Sequence, residues 1–188
     1  MGPLNSSFQS PRDKEGHGSH TLSTAAGNAV PGVSVFGQGF GTAKGGAPKA
    51  HVAAYKVCWL PVVPGECFDA DILAAFDEAI HDGVDVLSLS LGGFSSSLLD
   101  DSVAIGSFHA TMRGIVVVCS AGNSGPVDGT VRNLAPWHVT VAASTMDREF
   151  PAYVVLGDNI ILKVLSLFST TFFFLNNEQG FPVRVCLK

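Results

Sequence analysis

Two short stretches carry side chains that could do chemistry. DKEGHGSHTLSTAAG (13–27) sets His17 and His20 beside glycines in a run of very small side chains. CSAGNSGP (119–126) sets Asn123 between Gly122 and Ser124 at the end of an apolar run. An imidazole titrates near neutrality, so it can take up a proton and return it at physiological pH. Two histidines three residues apart on a helix could instead share a metal ion. That needs a third ligand at ordered spacing, and neither a His-Glu-x-x-His run nor a zinc-spaced Cys/His cluster occurs. Taken alone, the pair reads as two core histidines with satisfied hydrogen bonds. Asn123 taken alone reads as a turn residue, because Asn tolerates left-handed backbone.

The elements that must position these groups follow from pattern and composition. The chain has 188 residues, 46% hydrophobic and 14% charged, with 21 glycines, which describes a buried core with many tight turns. A net charge of -5 leaves no electrostatic footprint for nucleic acid, so no such partner is expected. AHVAAYKVCW (50–59) reads as a buried strand. DADILAAFDEAIHDG (69–83) reads as a helix capped by Asp69 or Asp71, with Ile72, Leu73, Phe76 and Ile80 in one stripe and Gly83 as its stop. VDVLSLSLGG (84–93) is a second strand, DSVAIGSFHATMRG (101–114) a second helix, IVVVCSAGNSGP (115–126) a third strand with its loop, and WHVTVAAS (137–144) a fourth. Strands alternating with helices predict a mostly parallel sheet flanked by helices, with apolar strands such as 115–119 buried on both faces. Ligands bind such sheets at the carboxyl ends of the strands, where SLGG and SAGNSGP fall. The tiny side chains of 17–27 suit a helix through the domain centre, where backbones come close.

In combination these stretches resemble the subtilisin-like serine endopeptidases, most closely the plant members. The likeness covers about residues 10–158 in the family's order. SPRDKEGHGSHTLSTAAG resembles the histidine motif, GTAKGGAPKAHVAAYKVCW the strand after it, and DILAAFDEAIHDGVDVLSLSLG the helix leading to the substrate strand. CSAGNSGP is similar to the segment with the oxyanion asparagine, and LAPWHVTVAASTMDREF closes the match. The resemblance implies a three-layer α/β domain, here incomplete, and hydrolysis of polypeptide substrates without a cofactor or bound metal. It places His17 on the general base, His20 on a structural histidine and Asn123 on the oxyanion donor. Ser90, Leu91 and Gly92 fall on the strand that pairs with an extended substrate, and Ser120, Ala121 and Gly122 on the opposite wall of the pocket before the scissile bond. Ser19 stands where the motif usually has Thr; both are small hydroxyls.

The resemblance also implies two residues that are not here. The family's acid sits in an Asp-Thr/Ser-Gly turn before the histidine, and no such turn occurs in residues 1–16. Asp13 matches the Arg-Asp lead-in of the motif instead. The nucleophile sits in a Gly-Thr-Ser-Met-Ala helix start, which the chain lacks. Ser144 in AASTM and Ser124 in the asparagine loop match other family stretches. The expectation is a fragment without measurable peptidase activity, prone to association through uncovered sheet edges.

The remaining features set context. Residues 1–163 are expected to form the partial peptidase domain, and 164–188 a divergent tail in which Phe, Leu, Ser and Thr cluster without helical or strand period. The apolar run at 160–175 is too short to span a bilayer and is broken by Lys163. Residues 1–12 lack the pattern of a secretory signal, so an extracellular location is implied by the resemblance alone. Cys58 and Cys67 bracket a short loop; a bridge there would contribute about 2.7 kcal/mol in the chain-entropy picture, and two free thiols are the alternative. Cys119 suits a small core residue. A protein of another class, a non-catalytic peptide binder that keeps the strand-edge groove, is the second functional expectation, and a His17/His20 metal domain the third.

Overall fold

A computed structural model describes residues 10–35, 37–59, 67–92, 97–147, 149, 151–156, 160–165 and 184–186. In chain order the elements are α1 (His17–Ala26), β1 (Val30–Val35), β2 (Gln38–Ala43), α2 (Asp69–Asp82), β3 (Val86–Leu89), α3 (Ser102–Met112), β4 (Val116–Ser120), β5 (Val139–Val141), β6 (Pro151–Val155), β7 (Ile161–Leu165) and β8 (Arg184–Cys186). They fall into two compact units, Met1–Ala25 with Ala50–Ser144, and Ala26–Lys49 with Thr145–Lys188.

The first unit is the α/β body. β3, β4 and β5 form a parallel sheet in that order, with Leu89 beside Cys119 and Ser120 beside Val141. Its core joins Ile72 and Phe76 of α2, Val103 and Ala110 of α3, Ile115, and Val117 and Cys119 of β4. The helices fall where the apolar spacing predicts, but the caps differ. α2 begins after Phe68 with no side-chain cap. Asp69 instead accepts from Ser102 Oγ at 2.7 Å, and Asp71 from Trp59 Nε1 at 3.0 Å. Both carboxylates still favour the positive end of the helix dipole. Gly83, at φ 71°, closes α2 in the left-handed conformation that glycine adopts without strain. α3 has a side-chain cap, Asp101, which accepts from the N–H groups of Val103 and Ala104.

Three expectations are corrected. Residues 50–57 form no strand; Cys58 makes a single bridge to Cys67, and the two are joined by a disulfide. The sheet is not buried on both faces: Val117 and Cys119 face the helices at 2% and 1% exposure, while Val86 and Val116 on the other face stay half exposed. The parallel connection carries α3 to the side on which Val117 and Cys119 join its core residues. Finally, no residue of α1 is buried. Side chains this small give the helix little area to dock with, whatever its neighbours.

The second unit is antiparallel. β1 and β2 form a two-stranded sheet, and β6 lies between β7 and β8 in another. Most of the expected divergent tail, residues 166–183 and 187–188, lies outside the described residues.

Candidate active site

His17 is the first residue of α1 and is exposed. The turn that delivers it is built by Asp13. Asp13 Oδ1 accepts from the N–H of Glu15 at 3.0 Å and of Gly16 at 2.8 Å. Its Oδ2 accepts from both the N–H and the hydroxyl of Ser19, each at 2.8 Å. One carboxylate thus satisfies backbone donors that the first helical turn would otherwise leave to water. The Gly16 N–H, then the two Ser19 donors, hold the Asp13 carboxyl well below the usual carboxylate range. Gly16 sits at φ 98°, where an L side chain is strained, so the histidine enters the helix directly from a glycine turn. Ser19 uses its hydroxyl here, which is the group that it shares with the Thr usual at this position. His20 donates its N–H to Gly16 O at 2.9 Å and is itself exposed.

The two expected substrate walls meet at the carboxyl ends of β3 and β4. Ser90 follows β3 directly, and Ser120 ends β4. Ser120 Oγ donates to Leu91 O at 3.3 Å across the gap between the strand ends. Ala121 is held on both sides, its N–H donating to Val141 O at 2.9 Å and its carbonyl accepting from Arg132 N–H at 3.0 Å. Gly122, at φ 87°, turns the chain out toward Asn123, which is exposed.

The residue that ties the walls together is Asn133, which the sequence pattern did not single out. Its Nδ2 donates to Leu91 O at 2.8 Å and to Ser120 O at 2.7 Å. It is 9% exposed and adopts φ 55°, the left-handed conformation that Asn tolerates better than most residues. Its own carbonyl accepts from Thr140 Oγ1 and, at 2.8 Å, from His138 Nε2. A carbonyl can only accept, so Nε2 carries a proton, and Nδ1 faces Ser107 Oγ at 3.1 Å. Trp137 Nε1 also donates to Ser107 Oγ, at 3.0 Å, anchoring this loop to α3. The available signal was an Asn in a Pro-containing loop after a strand.

The structure therefore joins Ser90–Gly92 to Ser120–Gly122. No hydrogen bond links His17 to Asn123 among the described residues. No group of three or more His, Cys, Asp or Glu is placed to hold a metal ion among them either, and none of their helices is long and apolar enough to cross a membrane. Cys119 lies beneath the β4 end as a free thiol, pushed up to about 11 by burial and, secondarily, by the charge of Asp101.

Comparison with known proteins gives a consistent picture. Residues 5–170 match the subtilase family of peptidases. The chain is 70% identical over 188 residues to the subtilisin-like protease SBT5.3 of Arabidopsis thaliana, covering 100% of this chain and 24% of that protein. It is 64% identical over 165 residues to SBT5.4 of the same plant, covering 88% of this chain and 21% of that one. A subtilisin-like protease of Glycine max is 51% identical over 164 residues, covering 85% and 21%. Among solved structures, one titled S41 Psychrophilic Protease superposes with a TM-score of 0.51 at 29% identity, covering 69% of this chain and 39% of that one. The chain spans about a quarter of the length of the plant relatives it matches.

Proposed function

The chain belongs to the subtilase family, and from that premise we propose that it carries the general base, one oxyanion donor and the substrate walls of a serine endopeptidase. His17 takes the proton from the hydroxyl of a serine nucleophile as that oxygen bonds to the substrate carbonyl carbon. It returns the proton to the leaving amine when the C–N bond breaks. Asn123 donates its side-chain amide to the carbonyl oxygen as it becomes negative. The peptide lies extended between Ser90–Gly92 and Ser120–Gly122, held by main-chain hydrogen bonds.

The observation that carries this reading is the pair of strand ends fastened by Asn133, each ending in a backbone with small side chains at the place where α/β sheets bind ligands. The 188-residue polypeptide has neither the Asp-Thr/Ser-Gly turn before His17 nor the Gly-Thr-Ser-Met-Ala run, so by itself it turns over no peptide. An extracellular location fits the Cys58–Cys67 disulfide, which persists in an oxidising compartment.

The test places residues 10–158 in the matching segment of the 70% identical Arabidopsis protease. Turnover that is lost in His17→Ala and lowered in Asn123→Ala supports the assignment. Loss of one oxyanion donor costs subtilisin itself about 10²–10³ in turnover, and the same scale is expected here. Undiminished turnover in His17→Ala would overturn the base. A second reading, a non-catalytic peptide-binding protein that keeps the strand-edge groove, is supported by the same joined strand ends. Peptide capture by the chain, together with a folded chimera that cleaves nothing, would select that reading.

A further inference from the structure

The two walls do not face an empty slot. A Cβ added at Gly92 would stand 3.3 Å from Arg132 Cδ and 3.9 Å from Arg132 Cβ. A Cβ added at Gly122 would stand 3.2 Å from the same Cδ, 3.3 Å from Cγ and 3.5 Å from Nε. One methylene stem thus occupies the space that side chains at both glycines would need. The glycines are spaces for the arginine as much as openings for a substrate.

The stem is fixed from its backbone. Arg132 N–H donates to Ala121 O, and the next residue, Asn133, binds the carbonyls of Leu91 and Ser120. The arginine is therefore tied to the walls through three hydrogen bonds, two of them made by its neighbour. Its side chain is half-buried. Partial burial strengthens the pull of a guanidinium on a carboxylate relative to open water. The group offers five N–H donors, so a partner within the chain leaves donors for a second one.

We propose that Arg132 is the specificity-determining residue of this groove, selecting an acidic side chain in the substrate residue that enters between Gly92 and Gly122. The assignment rests on the reading of those residues as substrate walls. The stem supplies an apolar floor for the methylenes of a Glu, and the guanidinium pairs with its carboxylate through fork-shaped hydrogen bonds. A lysine in the substrate would meet a like charge at the same place. A neutral side chain would bury against the stem without adding a charge-assisted contact to the guanidinium.

The experiment uses the full 188-residue chain and amino-terminally labelled tetrapeptide amides that differ in the last residue, Glu, Gln or Lys, with binding read by fluorescence anisotropy. Glu is expected to bind about tenfold to a hundredfold tighter than Gln, the scale of one charge-assisted contact. That preference falls as salt is raised. Arg132→Ala should bring Glu to the level of Gln, Arg132→Lys should keep part of the preference, and Arg132→Glu should turn it toward Lys. Circular dichroism checks that each variant is folded, and Arg132→Lys keeps the test open should the truncation unfold. An unchanged Glu-to-Gln ratio in folded Arg132→Ala would overturn the role of Arg132 and leave the groove standing. Binding that appears after Arg132 is removed, and not before, would overturn selection in favour of a plug. Absence of binding to every peptide, in wild type and variants alike, would overturn the groove and this role with it.

Discussion

Gly106 of α3 leaves the space that the ring of Phe76 on α2 occupies. A methyl group at position 106 would stand 2.2 Å from Phe76 Cδ2, well inside van der Waals contact. Phe76 is 4% exposed, so its ring has nowhere to retreat without displacing the core that supports β4.

Gly106→Ala is therefore expected to destabilise the first unit although alanine favours helices. Helix propensity gains about 1 kcal/mol at most, and overpacking costs about 1–3 kcal/mol or more. A lower midpoint in urea, with partial recovery in the Gly106→Ala, Phe76→Leu double variant, is the expected result. An unchanged midpoint would show that the two helices can slide apart.

Asn133→Ala removes the donor shared by Leu91 O and Ser120 O. Both carbonyls lie at partly buried strand ends, and the loss is expected to cost about 1–3 kcal/mol. Alanine also tolerates φ 55° less well than asparagine. Peptide capture at the groove should weaken more than global stability does, which anisotropy and thermal melting on the same sample would separate.

Asp13→Asn tests how the turn before His17 is held. Asn keeps one acceptor oxygen where the carboxylate has two, so the amides among Glu15, Gly16 and Ser19 that lose their acceptor should exchange faster with solvent. The pH dependence has a definite sign. The folded carboxyl is depressed below its ordinary 3.8, so its contribution is fully present above that value and fades as the pH falls toward the lower folded one. Local exchange protection at Gly16 and Ser19 should persist at pH 5 and be lost in strong acid. Equal protection in Asp13→Asn at pH 7 would count against the cap.

Tyr55 gives the opposite sign. Its hydroxyl donates to Asp82 Oδ2 at 2.6 Å, and that bond, then desolvation and the charges of Asp82 and Glu78, push the phenol up to about 12 from 10.0. The protonated form adds stability below the ordinary value, and the contribution is lost as the pH rises through about 12. The chain has two tyrosines, so a near-ultraviolet titration should resolve Tyr55 as a late step that Asp82→Asn brings back toward the ordinary value. A Tyr55 step that ignores Asp82→Asn would refute the pairing.

What the sequence makes legible is what local pattern controls. The stripe Ile72, Leu73, Phe76, Ile80 and the stops at Gly83 and Gly114 place α2 and α3, and the apolar runs place the parallel strands. Long-range partners are harder to read. AHVAAYKVCW has strand composition, yet Lys56 Nζ reaches the carbonyls of Ser10 and Arg12, more than forty residues away, and Cys58 is tied to Cys67, so the segment is held by partners outside itself. Asp69 and Asp71 have the right types to cap α2, but Ser102 and Trp59 take them. Asn133 was hidden because its role depends on two carbonyls, 42 and 13 residues away. The strand ends at Ser90–Gly92 and Ser120–Gly122 were legible as polar tips after apolar strands, whereas Arg132, which reaches them from a later loop, belongs to no motif.

The bond between Cys58 and Cys67 has one more consequence. With Trp59 also fastened to Asp71 in the first turn of α2, both ends of the interval 59–67 are moored to the same helix start. A change at either cysteine should therefore be felt at the start of α2, because Cys67 lies two residues before Asp69 and Trp59 holds Asp71 in the first turn.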